Sequence, residues 1–410
     1  MLSTDFFIGN RRRLFEKLEP RSFVVITAFG EMQRGVDSSF KFEQEANFWY
    51  LTGIDAADWR LVIDVDTGHE WLIMPEIGEV RQIFDGSISA KEATISSGMK
   101  DILDPKQGDE LLHKLLTTKQ RAYTLKPLAT DHYGFYANPA PRKLRLQLRG
   151  AKEVGDIRLA LAKMRAIKQP AEIEAIQRAI DVTVHGFEHT LPLINEVEYE
   201  YQIEAELSHH FRNLGADGHA YDPIVAAGKN ACTLHYIQNN APLQGKKWLL
   251  IDAGARLGGY CADITRSLPI NTPTERETNI YEAVKRVHDL AVSLCKPGQS
   301  TKEYMEQTEA AMGEELVQLG LIKKASSQKE LRSYFPHSIS HGLGIDVHDP
   351  LGHPELFEEG MVLTVEPGIY IPDEAIGIRL ENDIVITKDG PKNLSGQLPS
   401  DLASLMKMVY

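Results

Sequence analysis

Apolar residues in the first 160 positions fall into short runs bounded by polar breaks. Residues 23–27 (Phe-Val-Val-Ile-Thr), 60–65 and 70–74 are rich in β-branched and aromatic side chains and close on Gly, Asp or Pro, so each is predicted to be a strand of an α/β sheet. Between the strands the period changes. Leu111, Leu112, Leu115 and Leu116 recur at helical spacing and predict a helix over 109–117, while Asn138-Pro139-Ala140-Pro141 breaks the chain. Nothing in this half gathers side chains into a catalytic constellation. It reads as an accessory domain, 1–160, joined to the remainder through the charged stretch 153–169.

A different order begins at Pro170 and defines a second domain, 161–410. Proline in the first turn, Glu172 and Glu174 beside the helix N-terminus, and Ile173, Ile176, Ile180, Val184 and Phe187 on one face predict a long amphipathic helix. A second helix, 199–214, stops at Gly215, and strand-like segments follow around Ile224, Leu234, Leu249 and Ile264. The order then repeats. A helix over 274–295 is stopped by Pro297-Gly298, a helix over 301–319 by Gly320, and strand-like segments run to Ile386. Two helices followed by strands, twice over, predict a pseudo-symmetric α/β domain with its ligand site at the junction of the halves.

Five residues stand where a short apolar run meets a polar break: Asp252, Asp263, His341, Glu366 and Glu381. A buried strand delivers a single charged side chain to a site in this way. Four carboxylates and one imidazole suit hard divalent cations such as Mn²⁺ better than thiolate-seeking zinc, with Zn²⁺ and Co²⁺ as the alternatives to Mn²⁺. Four negative charges exceed what one divalent ion neutralises, so two ions are the better match.

Composition narrows the setting. The chain of 410 residues is 42% hydrophobic, enough for real cores without staples. Cys232, Cys261 and Cys295 show no paired spacing, which fits a reducing, cytoplasmic environment. No stretch approaches the roughly 18 apolar residues of a membrane helix, and a net charge of −13 argues against nucleic acid as a partner. His185-Gly186-Phe187-Glu188-His189 fits the H-x-x-E-H pattern of inverted zinc peptidases, but Phe187 belongs to the buried stripe and Glu188 leans away from it. His209-His210 reads as solvated helix surface. Gly342-Leu343-Gly344 lacks the rest of a dinucleotide fingerprint and reads as backbone passing close to metal or substrate.

The segments around the five residues carry a family resemblance. Asp252-Ala253-Gly254, Asp263-Ile264-Thr265-Arg266, the run 340–349 that holds His341 and His348, Thr364-Val365-Glu366-Pro367-Gly368 and Ile378-Arg379-Leu380-Glu381-Asn382-Asp383 resemble the proline-peptidase branch of the pita-bread metallopeptidases. Asp37-Ser38-Ser39-Phe40 and the run 47–53 are similar to the N-terminal domain of aminopeptidase P. The resemblance implies that Asp252 chelates one metal, that Asp263 and Glu381 bridge two, and that His341 and Glu366 complete the ligands of the second metal beside a bridging hydroxide. It further implies a proton shuttle at Glu366, an oxyanion donor at His348, a proline pocket lined by His235 and His337, and an Arg379 that orients Glu381 or meets a substrate carboxylate. The implied substrates are peptides with N-terminal Xaa-Pro, with a Xaa-Pro dipeptidase as the near alternative and a metal-free creatinase-like protein as the remote one. A homo-oligomer, dimer or tetramer, is also implied, and Asp37 matches an acidic position able to reach a site in such an assembly. The chain departs from the pattern at Lys41 and Glu43, where relatives carry proline and a basic residue, and in a short link, 370–375, after Glu366.

Overall fold

The three apolar runs of the N-terminal half pair side by side. In the computed structural model, which describes residues 2–126 and 136–410, they belong to a unit spanning Leu2–Met164, with a second unit at Arg165–Tyr410. The first unit holds a six-stranded mixed sheet of β1 (Ser22–Thr27), β2 (Arg60–Asp64), β3 (His69–Ile73), β4 (Ile102–Leu103), β5 (Arg121–Thr124) and β6 (Glu153–Asp156), in the order β4-β3-β2-β1-β5-β6. Every residue of β1 is buried, as its uninterrupted apolar run requires. Leu112 and Leu115 of the helix Pro105–Thr118 pack on Phe23 and Val25 from that strand. This helix starts a turn earlier than Leu periodicity predicts. Asp104 caps it in a reciprocal box with Gln107, a signal that lies outside the leucine stripe. The charged stretch 153–169 is ordered as well. Edge strand β6 carries its charge outward, with Glu153 paired to Arg121 at 2.8 Å, and the helix Arg158–Ala166 follows.

In the second unit the two-helices-then-strands order appears twice. The helices Pro170–Thr190 and Glu200–Asn213 precede β7 (Gly218–His219), β8 (Ile224–Ala227), β9 (Trp248–Ala253), β10 (Ala255–Leu257), β11 (Tyr260–Cys261) and β12 (Ile264–Pro269). The helices Glu275–Leu294 and Thr301–Gln318, then a short helix Gln328–Tyr334, precede β13 (Val362–Val365), β14 (Gly368–Ile371), β15 (Ile376–Arg379), β16 (Asn382–Thr387) and β17 (Gly390–Asn393). The three-stranded sheets β12-β9-β8 and β13-β16-β17 are the matching halves of a pita-bread architecture. Leu234 is not in a strand. The chain there bends around the buried Glu200 carboxylate, which accepts from Ala227 N at 2.7 Å, Tyr236 Oη at 2.8 Å and Ala241 N at 2.8 Å. Among the described residues no helix is long and apolar enough to cross a membrane.

Register turns these sheets into a frame for acidic side chains. Ala253 pairs with Ile264 at the end of the β9–β12 ladder, so Asp252 and Asp263 are diagonal neighbours, two positions apart in register on one face of the hairpin. Val365 pairs with Asn382 in the other half, which sets Glu366 and Glu381 as the next opposed positions. Glu381 N donates to Thr265 O at 3.1 Å and ties the halves together. Beside the first pair, Gly254 lies so close to its neighbour strand that a Cβ would sit 1.8 Å from Ala262 O. Gly254→Ala is therefore expected to force the hairpin apart and cost at least about 1–3 kcal/mol, read as a lower urea midpoint; an unchanged midpoint would mean the hairpin has slack that the ladder does not reveal.

Candidate active site

The carboxylates of the two hairpins converge. Asp252, Asp263 and Glu381 are 7%, 5% and 2% exposed, and ligand atoms of Asp263, His341 and Glu381 all lie within 4.8 Å of one another. His341 Nδ1 donates to Gly342 O at 3.0 Å, which leaves Nε2 facing Asp263 Oδ2 at 3.5 Å and Glu366 Oε1 at 3.4 Å. Glu366 thus reaches the group through His341. Asp252 joins it through Tyr221, whose hydroxyl lies 2.5 Å from both Asp252 Oδ1 and Asp263 Oδ1. One phenolic proton cannot satisfy two carboxylates at once.

The electrostatics carry the same message. Burial, reinforced by the charges of its acidic neighbours, pushes Glu381 well above the usual carboxylate range. Burial also raises Asp252 despite the opposing Arg379 charge, and it raises Glu366 to about 7. For His341 burial opposes protonation, yet the Asp263 hydrogen bond and the Glu366 charge outweigh it and lift the imidazole to about 9. A cluster that must hold protons to remain buried is one that divalent cations can discharge instead. The donor set, oxygen-rich with one imidazole, fits such ions.

Arg379 sits among these acids but pairs with Asp252, not directly with Glu381. Its Nε donates to Thr265 Oγ1 at 3.2 Å, and Thr265 donates in turn to Glu381 Oε2 at 2.6 Å, so any hold on Glu381 passes through a hydroxyl. Its Nη1 donates to Tyr370 Oη at 2.9 Å. Tyr370 then has its own proton for His337 Nε2 at 2.8 Å, and His337 Nδ1 donates to Ser338 O at 2.8 Å. Both nitrogens of His337 are committed, and burial with the nearby Arg379 charge lowers its pKa to about 3. It is a neutral wall. His348 is exposed, with its ring centroid 4.2 Å from that of His341. His235 is exposed too and lies close enough for its charge to depress both His337 and His348. Asp37 lies in an exposed turn of the N-terminal unit.

Several contributors have no clear sequence signal. Tyr221, Thr265 and Tyr370 are residue types common in any strand or turn, and only the structure shows that Tyr221 and Thr265 reach carboxylates while Tyr370 links Arg379 to His337. Asp383 could have been read, since it follows Glu381 at strand spacing; its Oδ2 accepts from Asp263 N at 3.2 Å. Gly342 and Gly344 let the chain pass close to Asp349. A Cβ on Gly342 would meet Asp349 O at 2.3 Å, and one on Gly344 would meet Asp349 Oδ2 at 2.6 Å. Asp349, 3% exposed, is held by Arg165 and by Lys168 Nζ at 2.8 Å, and Arg165 also pairs with Asp346 at 2.7 Å. The segment carrying His341 and His348 is anchored at that point.

Comparison with known proteins converges on one group. Residues 174–388 match metallopeptidase family M24, and residues 7–124 match the aminopeptidase P N-terminal domain. The Xaa-Pro aminopeptidase of Escherichia coli (strain K12) is 32% identical over 438 residues, covering 99% of this chain and 98% of its own. The Xaa-Pro aminopeptidase 3 of Homo sapiens is 31% identical over 393 residues, covering 89% and 76%. Among solved structures, E. coli aminopeptidase P with the inhibitor Pro-Leu superposes with a TM-score of 0.86 at 32% identity over 99% of this chain and 98% of that one. The zinc-substituted form of the E. coli enzyme in complex with product gives 0.87 at 31% identity over the same shares. With a matching fold, both characteristic domains and an acidic centre at the junction of the halves, the chain belongs to metallopeptidase family M24 and is a metallo-aminopeptidase of its Xaa-Pro aminopeptidase (aminopeptidase P) branch.

Proposed function

We propose that this enzyme holds two divalent metal ions, Mn²⁺ foremost, and releases the first residue from peptides whose second residue is proline. The observation that carries the reading is the convergence of Asp252, Asp263, His341, Glu366 and Glu381 on one centre, with Arg379 paired to Asp252. Asp263 and Glu381, which with His341 bring their ligand atoms within 4.8 Å of one another, would be shared between the two ions, and Asp252, His341 and Glu366 would complete the set that holds them. When bound, such ions supply Lewis acidity and an activated water.

The chain's own residues would do the remainder. Glu366 lies between His341 and His337, its Oε2 3.6 Å from His337 Nδ1, and would move a proton toward the leaving nitrogen. His348, exposed beside His341, would donate to the oxygen that gains charge as the carbonyl before proline is attacked. His337, locked neutral by Tyr370, and His235 would flank the apolar proline ring. Free Cys232, Cys261 and Cys295 support a reducing, cytoplasmic setting, which cell fractionation would check. Val80, Ile83 and Phe84 of the helix Glu79–Phe84 are 70%, 80% and 81% exposed, apolar surface suited to a homo-oligomer contact that sedimentation would detect.

The decisive assay supplies Mn²⁺ and compares a Xaa-Pro dipeptide with a longer Xaa-Pro-Xaa peptide. Higher kcat/KM on the longer peptide is expected; the opposite order would make the enzyme a Xaa-Pro dipeptidase. Ligation and catalysis separate by mutation. Asp263→Asn is expected to lose most bound metal and nearly all activity, whereas His348→Ala should keep its metal while kcat falls about 10²-fold. Two equivalents of metal and full activity in Asp263→Asn would sink the assignment, and metal loss in His348→Ala would make that histidine a ligand.

A further inference from the structure

A second group of ligating side chains lies outside the catalytic centre. His185 and His189 are one turn apart on the helix Pro170–Thr190, and His210 meets them from the helix Glu200–Asn213. The ring centroids of His185 and His189 are 3.9 Å apart, those of His189 and His210 4.8 Å, and those of His185 and His210 5.6 Å. A ligand nitrogen from each lies within 4.8 Å of the other two. Helix proximity explains the meeting. A Cβ on Gly186 would sit 2.6 Å from the ring of Phe211, so glycine there lets the two helices close up beside His185 and His210.

We propose that His185, His189 and His210 form a binding site for a borderline divalent transition cation, Zn²⁺ or Cu²⁺, that clamps these two helices. Three imidazoles with no carboxylate favour such ions over Mn²⁺, and three protein ligands leave one position for water. His189 is already oriented for the task. Its Nδ1 donates to His185 O at 2.8 Å, which fixes the tautomer and leaves Nε2 as the free lone pair. The ring nitrogens of His185 and His210 have no hydrogen-bond partner among the described residues, so their lone pairs are not already spent. Glu188 is exposed and is not part of the group, which separates the site from an H-x-x-E-H peptidase centre, where that glutamate would act on water. No ligand is shared with the acidic centre.

The test uses the full chain without a polyhistidine tag, equilibrated with Zn²⁺ in modest excess and freed of unbound metal by gel filtration. His189→Gln should bind one equivalent fewer than the parent, both in the wild-type chain and in an Asp263→Asn background, and should hydrolyse peptide at the parental rate with Mn²⁺. His210→Gln should show the same loss. Equal stoichiometry of parent and variants in both backgrounds would overturn the site. An increment that persists in Asp263→Asn supports it whatever becomes of the catalytic assignment.

Discussion

The architecture of the second unit depends on one electrostatic constraint: four carboxylates from two hairpins share a space with Arg379, which pairs with Asp252, and His341, which faces Asp263 and Glu366. An isolated carboxylate taken out of water costs several kcal/mol even after relaxation, so such a cluster must bind protons or cations. Both signs of adjustment are visible. Glu381 and Asp252 are raised by burial, while His341 is raised by its acidic neighbours. Metal occupancy and the stability of the hairpin ends are consequently linked, because ions that discharge the cluster also remove the repulsion that would spread it.

That linkage explains why so much of the centre was legible in the sequence. One carboxylate that ends a buried apolar run, as Asp252 or Glu366 does, reads as a solvated strand end, and it is the ordered repetition of such runs that points to a shared counter-charge. Two such runs in each half then predict the junction. What stayed hidden was chemistry carried by ambiguous residues. Tyr221, Thr265 and Tyr370 look like ordinary strand and turn residues until register shows which way they point. Leu234 misled for a related reason: its apolar neighbours are gathered by Glu200, a charge distant in sequence that bends the chain where local pattern suggests a strand. Gly342 and Gly344 make a close approach to Asp349, a partner that spacing alone does not name.

Hydrogen-bond direction extends the constraint beyond the acids. Arg379 has only donors, so Tyr370 Oη must accept from it and pass its own proton to His337, which then donates to Ser338 O. The state of a histidine on one side of the centre is thereby dictated by the guanidinium that compensates Asp252 on the other. Proton positions along this chain are set by the fold before any substrate arrives.

Asp349 shows that the boundary of the catalytic unit is an electrostatic one. The long helix begins at Pro170, and a fragment starting there would keep every candidate ligand, yet it would lack Arg165 and Lys168. Their loss would strip the Asp349 carboxylate of both counter-ions beneath the segment that presents His341 and His348. The smallest autonomous catalytic fragment must therefore extend upstream of the helix that seems to open it, and two cations in the connecting segment are as much a part of the active-site scaffold as the strands.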